Sequence, residues 1–194
     1  MANWASTAYA IEGPIETLKK IEHAVLHHNV LGGSSDSWEG NVLIALGIDC
    51  EKEIINSHKP YLRGFIQDEP CWCEENTVLR LYAEEAWEVT DFYKLLERQF
   101  PDIKVYWSTE EIDNNFFATN DVNGKYFSDK YYVDTCIHGN YEFDYFESME
   151  NAYRWLDKIS EGEVKNGEDI DEFNNKYGNT DDYINVYEYQ IIEE

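Results

Sequence analysis

Short apolar alternations separated by turn residues dominate the chain, and a few helical stripes interrupt them. From Trp4 to Ile11, Tyr9 and Ile11 fall on one side and Ala8 and Ala10 on the other, the period of two that marks a strand. Gly13-Pro14 then opens a helix over 15–28, with proline where a missing N–H costs nothing and Ile15, Leu18, Ile21 and Val25 as its apolar stripe. The run 32–37 is a loop by composition, Val42, Leu43 and Leu46 predict a short helix closed by Gly47, and residues 48–60 read as irregular. Tyr61 to Ile66 and Val78 to Ala83 predict two strands, the second alternating Leu79, Leu81 and Ala83. Thr90 is placed to cap a helix over 91–100 that carries Phe92, Leu95, Leu96 and Phe100 and stops at Pro101. Ile103, Val105 and Trp107 alternate as the next strand, over 103–109.

The rest of the chain is also rich in strand patterns. Phe116–Thr119 and Tyr126-Phe127 flank Asn123-Gly124, a hairpin signal, and Tyr131–Ile137 and Tyr141–Phe146 flank His138-Gly139-Asn140, a second one. Ser148 is a cap for a helix with Ala152, Tyr153, Leu156 and Ile159 inward. Residues 160–182 are polar and rich in Gly, Asn and Asp, and read as a mobile loop before a terminal strand over 184–192. The order βα, then ββαβ, is the split βαβ plan, so the fold class expected is α+β: a ferredoxin-like antiparallel sheet with helices on one face, extended by C-terminal strands and a helix. The expected organisation is a core at 1–133 with an inserted loop and short helix at 31–60, and a β/α extension at 134–194 packed on the same domain.

Charge changes this picture more than composition does. Forty Asp/Glu against fifteen Lys/Arg leave −25 on 194 residues, and sixteen acids against four bases fall from Gly139 onward. Such a field repels phosphates, so direct nucleic-acid binding is not expected, and basic protein surfaces are the natural partners. An aromatic content of 15% argues against disorder. No long uncharged apolar run and no export signal is visible, which predicts a cytoplasmic protein with no membrane contact. Cys50, Cys71, Cys73 and Cys136 are then expected as free thiols, the single-residue spacing of Cys71 and Cys73 being too short for a structural zinc pair; no metal and no cofactor are expected.

Several segments together carry a family resemblance. The start Met1-Ala2-Asn3-Trp4-Ala5-Ser6, the strand running into Glu84-Glu85-Ala86-Trp87, the helix ending Phe100-Pro101-Asp102-Ile103, Glu110 or Glu111, and Phe117-Ala118-Thr119 with Gly124 resemble the YubB-type ferredoxin-like domain of uncharacterised plasmid, phage and gut-bacterial proteins. The likeness covers roughly Met1 to Val133, and Glu88-Val89-Thr90 departs from it where relatives carry prolines. It implies a fold and a mobile-element neighbourhood, and no activity or catalytic residues.

Two constellations bear on function. Glu84, Glu85 and Asp91 lie at a strand end and a helix start, where carboxylates can hold a divalent cation or act as acid and base. Against this, neighbours on a strand face opposite ways, Asp91 suits a helix N-terminus, and Trp87 reads as a core residue. His23 with His27, and Cys136 with His138, are spaced for joint action but lack a third group. The second constellation is the aromatic and acidic run of Tyr141, Glu142, Asp144 and Tyr145 with Asp181, Asp182, Tyr187 and Tyr189, suited to a basic partner surface through carboxylates and rings. The expected function is therefore a non-enzymatic interaction module. Its sharper form is a DNA mimic or anti-defence protein, linked to mobile elements, that presents carboxylates to a DNA-binding protein; a divalent-cation enzyme built on the carboxylates near the end of strand 78–84 is the alternative.

Overall fold

Odd-numbered residues carry the core of the first sheet. Tyr9, Ile11, Leu79, Leu81, Val105 and Trp107 all point to one face and are at most 1% exposed. The computed structural model describes residues 3–28, 38–67, 69–73 and 77–193, so the expected loop at 32–37 lies outside the described residues, as do Met1 and Ala2. The chain divides into two units, Met1–Asp121 with Ile192–Glu194, and Val122–Ile191. The expected boundary after Val133 lies a dozen residues further on, because Tyr131–Ile137 is the central strand of the second unit and cannot be divided from it.

In the first unit the elements are β1 (Trp4–Glu12), α1 (Ile15–His27), α2 (Glu39–Ala45), β2 (Gly64–Ile66), β3 (Cys71–Cys73), β4 (Val78–Ala86), α3 (Phe92–Gln99), β5 (Lys104–Glu111) and β6 (Phe116–Thr119). The sheet order is β6-β5-β1-β4-β2, with β3 also on β4, and every pairing is antiparallel. Leu18 and Ile21 of α1, Val42 and Leu43 of α2, and Leu95 and Leu96 of α3 pack in one cluster on the odd face, and α2 touches both α1 and α3. The opposite face carries Ser6, Tyr82 and Glu84, the pattern of a sheet buried on one side.

Four local expectations change here. The strand expected over 61–66 shortens to Gly64–Ile66, because the backbone of Tyr61 exchanges bonds with Asp91 instead of joining the ladder. A second edge piece, Cys71–Cys73, takes up the rest of β4 after Pro70. Trp87 is no core residue: the backbone turns left-handed there (φ 68°), the ring is 47% exposed, and Arg63 lies 4.9 Å over it. The Asn123-Gly124 hairpin does not form. Phe116–Thr119 pairs with β5 instead, and Tyr126-Phe127 is not a strand.

The second unit holds β7 (Tyr131–Ile137), β8 (Asn140–Phe146), α4 (Met149–Ile159), α5 (Gly167–Tyr177) and β9 (Tyr183–Glu188), with sheet order β8-β7-β9. The β7–β8 turn is His138-Gly139, both at positive φ (51° and 79°), the conformation that follows strand twist in a two-residue hairpin. Ser148 caps α4 as expected, accepting from the Asn151 N–H. The segment 160–182 is not simply a loop, since it contains α5. Asn166 accepts from the N–H groups of Glu168 and Asp169, and Asp169 Oδ2 accepts from the Asn166 amide, a reciprocal cap that offsets the polar composition. Val133, Ile137, Phe146 and Ile184 on one sheet face pack with Ala152, Leu156, Val164 and Phe173. No helix among the described residues is long and apolar enough to cross a membrane.

Candidate functional site

The carboxylates singled out from the sequence separate in the fold. Glu84 faces away from the core and accepts from the Ser6 hydroxyl at 3.2 Å. Asp91 is the N-cap residue of α3; its carboxylate accepts from the Tyr61 N–H at 2.9 Å and pairs with Lys94 at 2.9 Å. Glu85 points the other way, into the core, at 0% exposure. The three are thus on different faces with different partners.

Glu85 meets a residue that sequence reasoning passed over. Glu39, at the start of α2, is also 0% exposed, and its acidic side chain looks from sequence like an ordinary helix-dipole residue. Tyr9 Oη donates to Glu85 Oε1 at 2.5 Å, and the Thr90 N–H donates to the same oxygen at 3.0 Å. Thr90 Oγ1 lies 2.9 Å from Glu85 Oε1 and 2.6 Å from Glu39 Oε2. Thr90 therefore stands one position before the N-cap residue of α3, where its Oγ1 accepts from the Phe92 N–H at 3.3 Å as expected of a cap and also serves the buried acids. Burial, then the charge of Glu85, then a hydrogen bond between the two carboxyls hold the Glu39 carboxyl well above its ordinary pKa. Glu39 Oε1 and Glu85 Oε2 have no other hydrogen-bond partner, and the raised Glu39 carboxyl is the member of the pair that can carry a proton. Gly64 gives room for this, because a Cβ there would lie 2.7 Å from Glu39 Oε1 and 2.8 Å from Glu85 Cγ. With no exposed surface, the pair can hold a proton and join α2 to the sheet, but it cannot meet a substrate.

The aromatic and acidic run behaves differently. Register places Tyr145, Phe143 and Tyr141 of β8 opposite Tyr132, Asp134 and Cys136 of β7, and these opposite Tyr187, Asn185 and Tyr183 of β9. That face is turned away from the α4/α5 core. Tyr132 is buried among the rings of Phe143, Tyr145 and Tyr187, at 6.0, 5.1 and 6.0 Å. Tyr141 and Phe143 stand out at 70% and 64% exposure. Tyr183 donates to Asp134 at 3.1 Å, and burial, then this bond, push its hydroxyl up to about 12.

Glu142 and Asp144 lie on the other face of β8, both exposed. A single cation therefore cannot use Tyr141 and Glu142, or Asp144 and Tyr145, as adjacent residues of one surface. It meets rings on one side of the strand and acids on the other. Burial, then Glu147, then Asp144 raise the Asp129 carboxyl, so acids crowd one end of β8. At the other end Asp182 accepts from the Gly139 N–H at 3.0 Å and lies 3.7 Å from the buried Cys136 Sγ and 3.9 Å from His138 Nδ1, with Asp181 exposed beside it. Tyr189 is buried beyond β9, its N–H donating to the Lys130 carbonyl, and so belongs to no exposed surface. No Lys or Arg occurs from Tyr131 to Tyr153 or beyond Lys176.

The remaining candidates are simply placed. His23 and His27 sit on the exposed side of α1 with ring centroids 4.6 Å apart. Cys71 and Cys73 share one face of β3, and burial, then Cys73, raise the Cys71 thiol. Among the described residues no three His, Cys, Asp or Glu side chains gather as a metal set. Compared with models of known families, with curated proteins and with solved structures, the chain matches none of them.

Proposed function

We propose that this chain is a non-enzymatic interaction module that presents the β8 side of its second unit to a basic protein segment. One observation carries the reading: a three-stranded sheet without a single Lys or Arg exposes Tyr141 and Phe143 on one face and Glu142 and Asp144 on the other. Exposed rings flanked by uncompensated carboxylates suit guanidinium and ammonium groups, through stacking on one side and ion pairing on the other. The divalent-cation alternative has less to stand on, since Glu84, Glu85 and Asp91 are held apart by Ser6, Tyr9 and Tyr61.

A ferredoxin-like plan for the first unit belongs to the same reading. The order β5-β1-β4-β2, with helices after β1 and before β5, supports it. So does the YubB-type resemblance, whose mobile-element neighbourhood suggests the sharper form, a DNA mimic that occupies a DNA-binding defence protein. The four free cysteines support a cytoplasmic setting.

Association kinetics of a Lys/Arg-rich peptide, followed against salt, test the module. The on-rate should fall as salt rises, because steering acts within a Debye length of about 8 Å at 0.15 M. Charge reversal at Glu142, Asp144, Asp181 and Asp182 should slow association more than reversal at Glu16 and Glu22 on α1. A salt-independent on-rate, or equal losses from the two sets, overturns the reading.

A further inference from the structure

The two edges of the second sheet are finished differently. On the β9 side, α5 seals the strand. The Asn174 amide donates to the Ile184 carbonyl at 2.9 Å, and its Oδ1 accepts from the Ile184 N–H at 2.8 Å. One side chain thus takes the place of a neighbouring strand. On the β8 side the Lys130 N–H bonds the Phe146 carbonyl, which turns the even residues of β8 inward toward β7. Alternation then turns the backbone groups of Tyr141, Phe143 and Tyr145 outward. The Tyr145 N–H is taken by the Asp144 carboxylate at 2.9 Å. Strand β8 carries none of the lysines, prolines or bulges that commonly block an exposed edge, and it spans seven residues.

We propose that β8 is a strand-addition site: a basic extended segment pairs with the outward backbone of Tyr141 and Phe143 as a fourth strand. This rests on the module reading above and adds the mode of binding and the pattern of the ligand. A strand beside β8 has its side chains alternately over the two faces. Over one face they meet Tyr141 and Phe143, and over the other Glu142 and Asp144. The fitting segment therefore alternates apolar and basic residues, and a slip of one residue would put every basic side chain on the wrong face. Acids at both ends of β8, Asp129 with Glu147 and Asp181 with Asp182, favour a cationic segment over a second copy of this chain, whose own Glu142 and Asp144 would be repelled.

The probe is an end-capped octapeptide alternating Arg and Val, made unmodified, with only its Val amides N-methylated, and with only its Arg amides N-methylated. Because the changes are in the peptide, folding of the chain is not in question. Strand addition predicts that one methylated form loses at least ten-fold in affinity while the other binds within about two-fold of the parent. It also predicts that the parent slows hydrogen exchange at the Tyr141 and Phe143 amides. If both methylated forms bind like the parent, the segment docks by side chains alone: strand addition fails and the module reading survives. If the parent does not bind at low salt, both fail. Protection of the same amides by self-association without peptide overturns the proposal in favour of a dimer.

Discussion

Tyrosine and glutamate do opposite work in the two units. In the first, Tyr9 is at 0% exposure and bonded to Glu85, which shares the interior with Glu39. In the second, Tyr141 is 70% exposed and Glu142 beside it faces water. The first sheet has three helices against its buried face and takes two acids inside, with the Glu39 carboxyl pushed toward its neutral form. The second sheet has helices on one face and leaves Tyr141 and Phe143 of the other face exposed on its edge strand β8. Residue type therefore says little about role in this chain. What decides is whether a second layer covers the position, since a covered acid must find hydrogen-bond partners or be pushed toward its neutral form, as Glu39 is.

Exchanging rings for alanine should expose this contrast most strongly. Trp107→Ala empties a site that is 1% exposed, and should cost about 3–5 kcal/mol in urea denaturation. Gly64→Ala drives a methyl into the buried pair Glu39 and Glu85, and should cost about 1–3 kcal/mol; full stability in that variant would mean that the acids are not packed as described.

The pair also predicts a pH dependence. Because folding raises the Glu39 pKa, its contribution to stability is fully present below the unfolded glutamate value near 4.3. It is lost as pH rises toward the folded value, with a slope of at most about 1.4 kcal/mol per pH unit. Glu39→Gln should flatten that part of the curve of urea midpoint against pH; an unchanged slope in that variant would mean that Glu39 does not carry it. The smallest effect belongs to Phe143→Ala, within about 0.5 kcal/mol of the parent in stability because the ring is mostly in water. A larger loss would mean that the ring is structural.

Much of the first sheet is legible in the sequence, because Tyr9, Ile11, Leu79, Leu81, Val105 and Trp107 alternate cleanly against small or polar neighbours. The hairpin at His138-Gly139 and the Ser148 cap are legible for the same local reason. Helix α5 is harder to see. Its apolar stripe is only Ile170, Phe173 and Tyr177, set among acids and asparagines, and its capping pair Asn166 and Asp169 resembles loop composition. Trp87 could not be placed from its type, since its exposure follows from a left-handed turn. Glu39 could not be paired with Glu85 either. That contact joins a helix start to a strand end 46 positions away, and no local pattern encodes it. For the sheet of the second unit, strand patterns give the aromatic content, but only register shows which rings and acids share a face.

Strand β1 lies between β4 and β5, and its Tyr9 is registered with Trp107, about a hundred residues along the chain. On a ribosome adding ~5–20 residues per second, it must therefore remain without its second neighbour for roughly 5–20 s after it emerges. The β7–β8 hairpin, closed by two residues, needs only microseconds once made. Nascent chains should consequently pass through an interval in which Tyr9 and Ile11 are open to chaperones. Codons that slow synthesis between the emergence of β1 and that of β5 would lengthen that interval.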